Sequence, residues 1–332
     1  MSNPFVLSTP GGDGPRVFEL TPSATAGQLD AKQVWAPAKA DEVESTHYTD
    51  AKLVRSATWG EVVLAARWGK DPRVLVIEYA TGKVVWRSDP KLGDLGGGVH
   101  SATLLPGDHV VVHAPKADAN DGDHLIFIPH DRPEAMVPYD LVDSHGSVWV
   151  ESAKASGGGY LWAIGRTTLA RDTKDRGTCV LRQYGLGKDL KCPLQYVNQF
   201  TLVAEPLELG YMEQPGWNES PHDIARADEN TLWIATESRV VAFDLDTLET
   251  PPEPVPRTTF QSEVEPKDPL TEHPSATNLK SLSVHGDTVL YAQTMGKASD
   301  TSTIGLVTQG RKQTAHLDEP FYKARLVTPG QA

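Results

Sequence analysis

The chain has 332 residues, 39% of them hydrophobic, a net charge of −13 and a pI near 5.3. That charge repels phosphate backbones and anionic membranes, so nucleic acid and membranes are excluded as expected partners. No apolar run reaches the roughly 20 residues of a membrane helix.

The 28 Gly and 25 Pro punctuate short apolar runs throughout, which favours an all-β fold over a helical one. The start, Met1 to Pro10, has neither the basic nor the apolar block of a secretion signal. The expectation is a monomer without a membrane segment, secreted if a signal has been removed and cytoplasmic otherwise. Cys179 and Cys192 flank Val180–Lys191, which reads as a hairpin around Gly185 and Gly187, so a disulfide and two free thiols both stay open.

In chain order, the first unit spans Phe5 to Leu20. Lys52 then lies ten residues before the run Val62-Val63-Leu64-Ala65, with a Gly turn at Thr58–Glu61 between them. Val74–Tyr79 and Lys83–Arg87 read as third and fourth strands. His100 lies ten residues before Val110-Val111-Val112, and His124–Ile128 follows as a strand. His145 opens a strand through Val150, and the Gly-rich Ser156–Gly159 delays its partner, Tyr160–Ile164. His222 again lies ten residues before Leu232-Trp233-Ile234, followed by Val240–Asp244. Lys280 precedes Val289–Ala292 across a turn at His285–Thr288, and the closing unit runs to Val327.

Self-similarity at this period is the signature of a β-propeller, and the count gives six blades of mainly four-stranded antiparallel sheets around a central channel, one domain over 1–332. The least strand-like segments, near 185–218 and 249–277, are expected as loop insertions projecting from one face. The proline run Pro251–Pro256 reads as an extended connector, and the Asp-rich Asp118–Asp123 as a turn lacking calcium-loop spacing.

In a propeller, equivalent innermost-strand positions face one another across the axis. The frame therefore brings Lys52, His100, His145, His222 and Lys280 together at one mouth, with Asp50, Ser101, Asp143, Asp223 and Asn278 nearby. Three imidazoles suit a divalent metal (manganese, zinc, nickel or calcium) with open positions, held by His100, His145 and His222. They equally suit a hydrogen-bonded structural cluster, or a metal-free catalytic His. The lysines point to an acidic ligand such as a uronate or sulfated sugar, with Lys52, Lys280 or His145 as catalytic groups. Asp50, Trp59, Tyr211, Trp217 and Asn278 are the expected substrate contacts. Trp149, Trp162 and Trp233 read as core, and Asp244 and Asp246 as turn residues. No nucleotide-binding Gly loop is present, so no nucleotide cofactor is expected.

The segments His100–Gly107, His145–Trp149, His222-Asp223 before Leu232-Trp233, and Leu279–Ser281 resemble an uncharacterised propeller family of actinomycetes and fungi, a domain of unknown function. A looser architectural likeness is to propeller polysaccharide lyases such as oligogalacturonate lyase, which have seven blades. That likeness implies a metal on His100, His145 and His222 that neutralises a uronate carboxylate, while Lys52 or Lys280 serves as base or carboxylate clamp. The expected function is a metal-assisted lyase acting by β-elimination. The alternative is a non-catalytic propeller that binds a ligand or protein. The string Thr81–Trp86 adds a quinone-dependent dehydrogenase as a third reading.

Overall fold

The computed structural model describes residues 3–10, 14–38, 47–69, 71–90, 92, 98–114, 124–167, 178–189, 191–202, 220–236, 240–250, 279–294 and 300–328. The described residues are almost entirely β-strand. The first three strands are β1 (Phe5–Pro10), β2 (Arg16–Pro22) and β3 (Gln28–Trp35). Next come β4 (Tyr48–Ser56), β5 (Gly60–Arg67), β6 (Arg73–Glu78) and β7 (Val84–Arg87). They are followed by β8 (Ser101–Leu104), β9 (Val110–Ala114), β10 (His124–Ile128) and β11 (Val137–Asp140). The fourth group is β12 (Val142–Glu151), β13 (Gly159–Arg166), β14 (Cys179–Leu186) and β15 (Leu194–Thr201). The last two are β16 (Pro221–Arg226), β17 (Thr231–Thr236) and β18 (Val240–Asp244), then β19 (Leu279–His285), β20 (Thr288–Gln293), β21 (Thr301–Thr308) and β22 (Arg311–Val327).

These strands form an all-β, propeller-like arrangement whose sheets depart from six separate blades. Four blades stand alone: β4–β7, β8–β11 and β12–β15 with four strands each, and β16–β18 with three. The strands expected to make the first and last blades share one seven-stranded sheet, in the order β1-β2-β3-β22-β21-β20-β19. The cause is β22, whose 17 residues are long enough to change partners midway. Its first part, Arg311–His316, pairs with β21, and its second part, Phe321–Val327, pairs with β1. The innermost strands touch in a closed cycle, β4 to β8 to β12 to β16 to β19 to β22 and back to β4.

Apolar residues sit between the sheets, because the middle strands are covered on both faces. β5 carries an unbroken run, Val62-Val63-Leu64-Ala65-Ala66, whose side chains alternate between two clusters. Val62, Leu64 and Ala66 pack toward β8–β10 with Val110, Val112 and Ile126. Val63 and Ala65 pack toward β1 and β2 with Leu7 and Val17. Equivalent clusters join β8–β11 to β12–β15, then β12–β15 to β16–β18, and β16–β18 to β19–β21. Each fully buried Val, Leu or Ile contributes about 1.5–3 kcal/mol, so this stack of interfaces supplies most of the driving force. Trp162 is buried, and Trp149 and Trp233 pack against these clusters, as the apolar strand runs imply.

One expectation fails locally, one open alternative is decided, and others fall outside the described residues. β15 lies inside the segment 185–218 that reads as a loop insertion, because its alternation of Gln195, Tyr196, Val197, Asn198 and Gln199 belongs to a largely exposed outer strand. Cys179 and Cys192 are free thiols: Cys179 begins β14, while Cys192 lies in the turn beyond its far end, an eight-residue strand away. Residues 203–219, 251–278 and 115–123 lie outside the described residues, and with them the rest of both expected insertions, Pro251–Pro256 and Asp118–Asp123. No helix among the described residues is long and apolar enough to cross a membrane.

Candidate functional site

Four innermost strands break their ladder near the start. The register shifts between Tyr48 and Asp50 in β4, between Val142 and Gly146 in β12, between Pro221 and Asp223 in β16, and between Leu279 and Ser281 in β19. A bulge leaves a residue out of the pairing and re-aims its side chain. The residues skipped are Thr49, the stretch Asp143–His145, His222 and Lys280. In β12, Asp143 adopts a left-handed φ of 52°.

This level holds the imidazoles together. The rings of His100 and His145 stand edge-to-face with centroids 4.3 Å apart, and those of His145 and His222 lie 5.5 Å apart. Lys280 Nζ donates to His222 Nε2 at 2.9 Å. His145 Nδ1 donates to the Asp143 carbonyl at 2.9 Å and lies 3.3 Å from the Asp143 carboxylate. That carboxylate also accepts from Ser220 Oγ at 2.6 Å and pairs with Arg166 at 3.0 Å. Trp68 and Tyr322 present ring edges to His100 at 4.8 and 6.1 Å. Burial pushes the His145 imidazole down to about 4, against the pull of Asp143, and holds His100 well below the usual range with help from His145 and Lys323. Both are neutral at pH 7.

The next level is ionic. Arg325, near the end of β22, donates from Nε to Asp50 Oδ1 and from Nη2 to both Asp50 oxygens, all at 3.1 Å. It also donates to Asp223, from Nη2 at 2.7 Å and from Nη1. Ser101 Oγ donates to Asp50 at 2.6 Å, and the Leu282 amide to Asp223 at 2.7 Å. Lys323 Nζ reaches Asp223 at 3.6 Å and the His145 carbonyl at 3.2 Å. Burial raises Asp50, but the charges of Arg325, Lys323 and Lys52 outweigh it and leave its carboxyl well below the usual range.

Beside this ionic level, Lys52 donates to Thr103 Oγ1 at 3.2 Å and to the Ser147 carbonyl at 3.3 Å. Thr103 donates to that same carbonyl, and Ser147 Oγ donates to Thr103 Oγ1, both at 2.9 Å. Ser147 Oγ must therefore accept from His113 Nε2 at 2.7 Å, which leaves His113 Nδ1 to accept from Ser144 Oγ at 2.6 Å.

Sequence register thus assembles His100, His145, His222, Lys280, Asp143, Asp50, Ser101 and Asp223 correctly at one end, but misplaces Lys52. The β4 counterpart of His222 and Lys280 is Thr49. Asp50 pairs with Ala66 sixteen residues on, whereas Asp223 pairs with Ala235 and Ser101 with His113 only twelve on. Counting back ten from the apolar run in β5 therefore lands inside the longer hairpin. Trp59 lies elsewhere, its ring 5.9 Å from His130 and 6.5 Å from Trp86 in the turn after β4. Tyr211, Trp217 and Asn278 lie outside the described residues. Asp244 is a turn residue as expected, accepting the amides of Asp246 and Thr247 at 2.8 Å.

Among the described residues no group of three or more His, Cys, Asp or Glu side chains is placed to hold an ion. His222 Nε2 faces an ammonium nitrogen, where a second cation would be repelled, while His145 donates through Nδ1 to Asp143 and keeps Nε2 as an acceptor.

Lys323, Arg325, Tyr322 and His113 lie outside the repeat frame that singles out the other residues of the cluster. The signal for the first two was present, since Phe321-Tyr322-Lys323-Ala324-Arg325-Leu326-Val327 is a strand-like run with cations inside it.

No protein-family model matches the sequence, and no curated protein does either, so the likeness to the actinomycete and fungal family stays a resemblance. Among solved structures the chain is similar to a protein of unknown function from Bacteroides caccae, at TM-score 0.54 and 9% identity, covering 98% of this chain and 99% of that one. It is also similar to the Cps50 (Swd1) β-propeller domain of Myceliophteria thermophila, at TM-score 0.43 and 13% identity, covering 86% of this chain and 72% of that one. At 9% identity the first likeness shows the fold alone, and that fold is an all-β, propeller-like ring of sheets.

Proposed function

We propose that the protein binds a small anionic ligand, of the class of a uronate or other carboxylate, at the end of the ring formed by His100, His145, His222 and Lys280, without a metal. The observation that carries this reading is an imbalance of charge. The centre gathers four cations, Lys52, Lys280, Lys323 and Arg325, around two carboxylates, Asp50 and Asp223, while Asp143 is matched by Arg166. Elsewhere the chain is strongly acidic, so a local excess of positive charge singles out this end as the place an anion is drawn to. The neutral imidazoles supply hydrogen bonds, and the edges of Trp68 and Tyr322 supply apolar walls for a ring.

The test is calorimetric titration of the protein with mono- and oligo-uronates, sulfated sugars and 2-oxo acids. Binding is expected to weaken about tenfold in Lys280→Gln, as loss of a charged hydrogen bond implies. Failure of every anion in the panel to bind would overturn the reading.

A second reading, β-elimination on a bound uronate, is favoured by the Asp143–His145 pair. Asp143 holds His145 Nδ1 as donor, which leaves neutral Nε2 as a base. It expects a new ultraviolet-absorbing double bond in the product and loss of turnover, with binding kept, in His145→Gln.

A further inference from the structure

We propose that Lys52 is a nucleophilic amine that captures small 2-oxo acids as an imine inside the ring of strands. The nitrogen is held by two acceptors, Thr103 Oγ1 at 3.2 Å and the Ser147 carbonyl at 3.3 Å. A neutral amine has two N–H donors and one lone pair. With both donors spent on fixed acceptors, the lone pair is aimed away from them. Asp50, the nearest carboxylate, stands 3.8 Å off, beyond hydrogen-bond reach, and its oxygens are already taken by Arg325 and Ser101.

Access is the second observation. The Lys52 side chain is 19% exposed, against 9% for Arg325 and 0% for Lys323, so it is the least covered of these three cations. Burial and the positive charges of Arg325 and Lys323 bring its ammonium down to about 8, against the pull of Asp50, so the reactive free amine is populated near neutral pH.

The step balances without an oxidant or a second substrate. The Nζ lone pair forms a bond to the carbonyl carbon, and the carbonyl π pair moves to oxygen. The two protons shed by nitrogen leave with that oxygen as one water, and a carbon–nitrogen double bond remains. The choice of an acid over a neutral aldehyde rests on the anion-binding reading; amine capture itself does not.

The experiment incubates the full chain near neutral pH with glyoxylate, or separately with glycolaldehyde, in the presence of cyanoborohydride, and maps reduced adducts by peptide mass spectrometry. With glyoxylate, Lys52 is expected to be labelled at least about tenfold more than the exposed Lys32, Lys154 and Lys188, given the larger free-amine fraction of a lysine titrating near 8. Lys52→Arg removes that adduct while keeping the positive charge, and Thr103→Val reduces it by releasing one of the two anchors. Labelling of Lys52 no greater than that of the exposed lysines, with both reagents, overturns the proposal. Preferential labelling by glycolaldehyde without glyoxylate would uphold the imine and overturn the anion-binding reading instead.

Discussion

Arg325 grips Asp50, 275 residues earlier in the chain, through two nitrogens at 3.1 Å, and the same guanidinium holds Asp223. The planar fork bridges two buried carboxylates from different sheets, a geometry a lysine cannot copy. Arg325→Met strands both carboxylates and is expected to cost about 3–5 kcal/mol in urea denaturation. Arg325→Lys should fall between that variant and the parent. A loss under about 1 kcal/mol for Arg325→Met would show that the ring does not depend on this ion cluster.

Acid should unfold the protein through its imidazoles before its carboxylates. His100, His113 and His145 are each held below the ordinary His value, first by burial, so below pH 6.5 the unfolded chain binds more protons than the native one. Their contribution is full above pH 6.5 and is lost as pH falls toward the native values, about 4 for His145. Each costs about 1.4 kcal/mol per pH unit inside that window. Asp50 and Asp143, held low by their cationic partners, add a further loss only below the ordinary carboxylate value near 3.8. Melting temperatures recorded from pH 8 downward should be level at first and drop steeply between pH 6 and 4. A flat profile down to pH 5 would contradict the burial of neutral imidazoles.

Removing one of those imidazoles separates hydrogen bonding from charge. His113→Leu leaves Ser144 without its acceptor and Ser147 without its donor, and should cost about 1–3 kcal/mol by chemical denaturation. Adding Ser144→Ala and Ser147→Ala should recover part of that loss. If the triple variant is no better than the single one, the serines are satisfied otherwise.

Gly98 tests the wall beside His100. A Cβ at this position would come within 2.0 Å of the Trp68 ring, which stands edge-on to His100. Gly98→Ala should displace the indole and cost about 1–3 kcal/mol. It should also weaken binding of a ring-bearing anion more than that of a small carboxylate. Equal effects on both ligands would place Trp68 outside the contact.

The middle strands were legible in the sequence because doubly covered strands read as continuous apolar runs: β10 and β18 fall where His124–Ile128 and Val240–Asp244 put them. The inner-strand starts were legible as residue types but not as levels. A bulge adds a residue without any mark in composition, so Thr49 gave no sign of replacing Lys52 beside His222 and Lys280. The blade count was misread because nothing in Arg311–Val327 announces that one strand will serve two neighbours. Tertiary pairing decides that, over a separation of more than three hundred residues. His113 was hidden for another reason: inside Val110–Ala114 it reads as a break in an apolar run, and only its two serine partners show it to be a strut.

The split allegiance of β22 sets an order of events during synthesis. Until Phe321–Val327 leave the ribosome, Asp50 and Asp223 have no guanidinium between them, and β1 lacks the strand that closes the ring. Until then the nascent chain carries an open edge at β1, and from residue 223 onward two carboxylates that lack this partner. Closure then has to bring together segments more than three hundred residues apart, which makes it a slow step that waits on β22.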